Sequence, residues 1–166
     1  WCTAEFVGAD NVLMTAAHCA YESGYSTNLL FDQQYSGGLY SKEYTINDIE
    51  VTDNWRDAMS MGYHDWEEDY AFLQTNEPNN DGHIGLDNFN TYTDVVAVGY
   101  PSNFDSGSVM KQVLGWIGES SHEPGTMAMN ENPMRSGNSG GAWFAYKSGD
   151  AVGLNSYSKR GDSRTM

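Results

Sequence analysis

No segment of this chain repeats its apolar residues at the 3.6-residue spacing of a helix for as long as three turns. The apolar stretches are short instead, and glycine, asparagine, aspartate or proline cuts each one off. Residues 1–7 read as a strand, Gly8-Ala9-Asp10-Asn11 as a turn, and 12–15 as the returning strand. Further strands are expected at 44–51, 70–74, 95–100, 109–117, 127–129, 142–146 and 151–156. Within 109–117, Met110, Gln112, Leu114 and Trp116 share one face while Val109, Lys111, Val113 and Ile117 mix on the other. That alternation suits a sheet with one buried side. Many short strands with glycine-rich turns place the chain in the all-β class, as a sandwich or barrel. Thr75-Asn76-Glu77-Pro78-Asn79-Asn80-Asp81-Gly82 is polar and turn-forming throughout. It is expected to join two β halves, about 1–75 and 83–166, through a linker at about 76–82.

Composition narrows the function classes. Hydrophobic residues make up 39 % of the 166, and 18 glycines bring the total to the usual globular share, which excludes wholesale disorder. No stretch approaches the roughly 20 apolar residues of a membrane helix. The net charge of −15 repels phosphate backbones and anionic lipid, so neither nucleic acid nor membrane is an expected partner. The chain opens at Trp1-Cys2 with no initiator Met, so a removed leader or a longer parent sequence is expected. Cys2 and Cys19 are the only cysteines and read as two buried thiols or one disulfide. No metal or other cofactor is expected, because the histidines do not cluster with these cysteines.

Three segments carry chemistry. In Arg135-Ser136-Gly137-Asn138-Ser139-Gly140-Gly141 the glycines free the backbone to turn tightly around one serine, just before the apolar Ala142-Trp143-Phe144. A serine there presents its hydroxyl, and the N–H groups of Gly137 and Ser139 can point into the same space. Acyl transfer needs that pairing, an attacking oxygen with donors for the oxyanion that forms. A nucleophilic serine also needs a base. His18, in Thr15-Ala16-Ala17-His18-Cys19, ends an apolar strand among small residues that let its ring approach another segment. His64, His83 and His122 lie in polar, turn-rich stretches and read as surface residues. Asp69 stands where the acidic run Asp65-Trp66-Glu67-Glu68-Asp69 enters the apolar Tyr70-Ala71-Phe72-Leu73. Burying a lone carboxylate is costly, so an aspartate at that boundary is expected to have a hydrogen-bonded partner. Asp65, Glu67 and Glu68 read as surface charge, and Arg160-Gly161-Asp162 as a chance tripeptide in a polar tail.

Thr-Ala-Ala-His-Cys, then Asp-Tyr-Ala-Phe-Leu, then Gly-Asn-Ser-Gly-Gly, in that order, resemble the chymotrypsin-like (trypsin-fold) serine peptidases, and the pattern is closer to bacterial secreted members. Val98-Gly99-Tyr100-Pro101 and Val152-Gly153-Leu154-Asn155-Ser156-Tyr157 add to the likeness. The resemblance implies two six-stranded-type antiparallel β-barrels with the site in the cleft between them. It implies His18 as general base and acid, Asp69 as its orienter, Ser139 as nucleophile, and Gly137 and Ser139 as oxyanion donors. Ser156 would contact the buried Asp69 and, with Pro133, Tyr157 and Ser158, line the pocket for the residue before the scissile bond. Cys2 and Cys19 match a disulfide that brackets the histidine, which implies secretion into an oxidising compartment.

The departures are informative. Pro133 stands where Arg/Lys-cleaving members carry Asp, so that specificity is not expected. Asn155 stands where glutamate-cleaving relatives carry His, and Asn138 where zymogen-activated members carry the Asp that pairs with a new N-terminus. Family members have a further strand before the first Cys, and a strand and helix beyond the Ser156 segment, so both barrels are expected to be incomplete at the ends. The implied function is a secreted, monomeric serine endopeptidase acting on proteins or peptides through an acyl-enzyme. The alternative is a catalytically inactive homologue whose cleft binds a partner; the three intact residues argue against it. A sugar-binding β module would account for the 13 % aromatic content but leaves the three segments unexplained.

Overall fold

The computed structural model describes residues 1–88, 93–120 and 125–157. His122, Ser158 and Arg160-Gly161-Asp162 lie outside the described residues. The first half contains β1 (Glu5–Phe6), β2 (Val12–Thr15), α1 (Ala17–Ala20), β3 (Leu30–Gln33), β4 (Lys42–Val51), α2 (Asp53–Ser60) and β5 (Ala71–Thr75). The second contains β6 (Asp94–Gly99), β7 (Lys111–Glu119), β8 (Met127–Asn130), β9 (Ala142–Ala145) and β10 (Ala151–Leu154). Each half is a curled, antiparallel sheet, ordered β1-β2-β5-β4-β3 and β10-β9-β6-β7-β8. The fold is the chymotrypsin-like one expected from the resemblance, with five strands per half among the described residues.

The period-two alternation of β2 and β5 builds the molecule in both directions. Their register pairs Leu13 with Leu73 and Thr15 with Ala71 on one face, and Met14 with Phe72 on the other. Leu13, Ala71 and Leu73 join Phe6, Tyr44 and Trp55 in the first core. Met14 and Phe72 face the other way and meet Ala142, Ala151 and Phe144, forming an apolar seam between the halves. Val95, Ala97, Ile117, Met129 and Trp143 fill the second core.

Beyond the polar linker the chain runs along both halves. Ile84 bridges Val7 and Leu86 bridges Ala151, both in parallel. Glu5 takes the face of β1 opposite to Phe6. It is 8 % exposed, and neither carboxyl oxygen finds a hydrogen bond of normal geometry. Burial pushes this carboxyl well above the usual carboxylate range, and the nearby Ala142 backbone offsets only part of that.

Some elements differ from the sequence expectation. Only Glu5–Phe6 of the expected 1–7 strand is ladder-paired. β3 was not expected, since Leu30-Phe31-Asp32-Gln33 is too short and mixed to declare a period; its pairing with Tyr44 and its neighbours makes it a strand. α2 spans about two turns and cannot show a three-turn period. Its start is encoded locally, where Thr52 Oγ1 accepts the Trp55 N–H at 3.1 Å. No described helix is long and apolar enough to cross a membrane.

Candidate active site

The register that aligns Thr15 with Ala71 carries the next residues of both segments past each other, which brings Asp69 beside α1. There the His18 backbone N–H donates to Asp69 Oδ1 at 2.8 Å, and the ring pairs Nδ1 with Oδ2 at 2.8 Å. From the second half, the Ser156 hydroxyl donates to Asp69 Oδ2 at 2.5 Å. Asp69 is only 3 % exposed, so these three donors replace the water its carboxylate has lost. The arrangement leaves Nδ1 carrying a proton towards Asp69 and Nε2 free to accept one. The ring keeps 27 % of its surface, enough for contact with a ligand.

Cys2 and Cys19 form a disulfide next to His18. Both sulfurs lie close to the ring, yet being bonded to each other they offer no thiolate to a metal. Trp66 meets the His18 ring edge-on at 6.5 Å and stacks on Tyr157 at 4.4 Å. His64 stacks on Trp66 at 4.6 Å, and His83 pairs with Asp10 at 2.7 Å; neither hydrogen-bonds Asp69.

Ser139 enters from the other half. Gly140 has φ +86°, and a side chain there would meet Thr15 Oγ1 at 2.1 Å and Ala16 N at 2.7 Å. Only glycine allows that approach, which packs the serine turn against the start of α1. Ser139 is half-buried, and among the described residues its hydroxyl has no hydrogen-bond partner; no bond joins it to His18.

Four consecutive peptide planes shape this turn. Ser136 O accepts from Ser102 N–H at 2.7 Å, and Asn138 O accepts from Gly141 N–H at 2.9 Å. Asn138 N–H reaches Arg135 O at 3.3 Å, and Gly140 N–H reaches Asn155 O at 2.7 Å. The N–H groups of Gly137 and Ser139 donate to nothing among the described residues. In a trans peptide the N–H points opposite to the carbonyl, so anchoring Ser136 O and Asn138 O turns these two free donors away from the Ser102 and Gly141 groups that hold those carbonyls. Such a pair is suited to a developing oxyanion.

Asn155 shows why its position need not hold a histidine. It is fully buried. Its Oδ1 accepts from Trp143 Nε1 at 2.9 Å and Asn132 Nδ2 at 3.1 Å, while its Nδ2 donates to Gly141 O at 3.0 Å and Val98 O at 3.2 Å. Every polar atom of the amide is occupied inside the protein. Pro133 is exposed, with its carbonyl accepting from Asn103 Nδ2 at 3.0 Å. The sequence reading passed over Trp66 and the bonding of Asn155, whose partners lie far away in the chain. For Trp66 a signal existed: a tryptophan inside an acidic run.

Residues 2–154 match the sequence model of the trypsin-like peptidase domain. Among solved structures, protease Anisep from Arthrobacter nicotinovorans aligns with a TM-score of 0.86 at 25 % identity, covering 99 % of this chain and 80 % of that one. The thermostable serine protease AL20 from an extremophilic microorganism aligns at 0.81 and 20 % identity, covering 95 % and 78 %. A Glu endopeptidase aligns at 0.79 and 19 % identity, covering 99 % and 77 %. No curated protein matches the chain in sequence.

Proposed function

Since the chain belongs to the trypsin-like peptidase domain family, we propose that it is a secreted serine endopeptidase with Ser139 as nucleophile, His18 as general base and acid, and Asp69 as the group that orients His18. The observation that carries this reading is the Asp69 carboxylate, which receives the His18 N–H, the ring Nδ1 and the Ser156 hydroxyl together. A neutral imidazole fixed in that way presents Nε2 as a base.

In the proposed reaction Ser139 Oγ bonds to the scissile carbonyl carbon and its proton passes to His18 Nε2. The N–H groups of Gly137 and Ser139 take the oxyanion. The C–N bond then breaks, the imidazolium gives its proton to the leaving amine, and an ester to Ser139 remains. Water repeats the sequence with the same proton route and releases the acid. Binding of substrate is expected to bring Ser139 Oγ and the ring into hydrogen-bond reach, since such contacts often tighten only in the complex.

The wider assignments follow the same reading. Residues 1–75 form the first barrel unit, 76–82 the linker and 83–166 the second unit of one peptidase domain. Pro133, Ser156 and Tyr157 are assigned to the pocket for the side chain before the cleaved bond, together with Ser158, which lies outside the described residues; with no anion at Pro133, cleavage after Arg or Lys is not expected. The Cys2–Cys19 disulfide supports an extracellular setting, and proteins or peptides are the proposed partners of a monomer.

The test is labelling by a serine-directed phosphonate, read by mass spectrometry. One adduct on Ser139 is expected, and Ser139→Ala should abolish it while lowering turnover by about 10⁶-fold. A folded protein that takes no label and cleaves no peptide in a library would instead be a binding homologue.

A further inference from the structure

Thr3 precedes β1 in the first half, is 5 % exposed, and touches the serine turn of the second half with both its main chain and its side chain. Its N–H donates to Ser139 O at 2.8 Å. Its hydroxyl donates to Gly137 O at 3.0 Å and accepts the Tyr100 N–H at 3.1 Å. Its carbonyl accepts from Thr15 Oγ1 at 2.7 Å. All four polar functions of this one residue are therefore committed, and two of them grip carbonyls in the 137–139 segment.

The peptide plane joining Gly137 to Asn138 lies between the two planes that carry the free N–H groups. Among the described residues, apart from the Thr3 hydroxyl it is held only by the Asn138 N–H to Arg135 O contact, which at 3.3 Å is long. Gly137 has φ +95° and no side chain to resist rotation. Without that anchor, rotation about the bonds on either side of this plane lets the two flanking planes shift relative to each other, and the two free donors lose their mutual orientation.

We propose that Thr3 is a positioning residue for the oxyanion hole, its hydroxyl locking the Gly137–Asn138 plane so that the Gly137 and Ser139 N–H groups stay aimed at one point. The proposal rests on the peptidase reading above. Thr3 acts through the turn and does not touch substrate. Its contribution belongs to the transition state, because the oxyanion exists only there.

The test compares Thr3→Val, which keeps the shape and loses the hydroxyl, with Thr3→Ser, which keeps the hydroxyl. Fold is checked by near-UV circular dichroism. In Thr3→Val, kcat should fall by about 10- to 100-fold with KM within about twofold, the scale expected for a small misplacement of catalytic groups. Affinity for a peptide boronate that mimics the tetrahedral state should fall by a similar factor, and Thr3→Ser should restore both. If Thr3→Val does not fold, Thr3→Ala set against Thr3→Ser supplies the same comparison. Equal kcat with and without the hydroxyl overturns the proposal, as does a fall in kcat that Thr3→Ser does not rescue. Failure of both hydroxyl-free variants to fold overturns it too, since the hydroxyl would then serve the fold and not the turn. Wild-type protein that takes no phosphonate label would instead reject the peptidase reading itself, which keeps the two failures distinct.

Discussion

A carboxylate almost wholly removed from water holds its place only if donors surround it, and Asp69 has three. Two come from one residue, so the carboxylate fixes the backbone and the ring of His18 at once. Asp69→Asn keeps the size of the group but offers an N–H₂ where the Nδ1 proton points. The ring then settles with the proton on the wrong nitrogen, and kcat should fall by about 10⁴-fold while the fold is kept. Steady-state kinetics beside a thermal melt checks this. A variant within tenfold of the parent would show that the orientation of His18 does not depend on Asp69.

Among the elements, the serine turn leaves no room for a side chain at Gly140, in contrast to Gly149 in the turn between β9 and β10. Gly140 and Gly149 have nearly the same φ, +86° and +81°, but a side chain at Gly140 would collide with Thr15 and Thr3, whereas at Gly149 it meets nothing. Gly149→Ala should cost about 1 kcal/mol in urea denaturation, the backbone penalty alone. Gly140→Ala should cost at least about 2–3 kcal/mol, because overpacking is added. Equal losses would place the whole effect in the backbone. This turn was legible in sequence because Gly-Asn-Ser-Gly-Gly packs its constraint into adjacent residues. The same holds for Thr-Ala-Ala-His-Cys, and for Asp69 at the edge of an apolar run. β3 and α2 were not legible, because both are too short to show a period: β3 depends on its pairing with the Tyr44 segment, and α2 on burying its own Trp55 among residues far away in the chain. The bonding of Thr3 and Asn155 was hidden for a related reason: Thr3 lies 134 residues from Gly137, and no local pattern records such a contact.

The halves meet along an apolar seam, beside which one acid is buried. Glu5 meets Ala142 across that seam, and burial keeps its proton bound well above the usual carboxylate range. The native state therefore binds this proton more tightly than the unfolded chain does. Its contribution to stability is greatest at low pH and declines once the pH climbs past the ordinary carboxyl range towards the native value. Glu5→Gln cannot ionise, so its Tm should match that of the parent near pH 4 and exceed it by several degrees near pH 8. A gap that stays constant over that range would count against the seam as the source of the effect. The same division into halves has a further consequence. Thr15, His18 and Asp69 come from one half and Ser139 and Ser156 from the other, so a partly folded chain owns a base without an alcohol, or an alcohol without a base. On the proposed reading, peptide cleavage therefore requires both halves to be folded and docked.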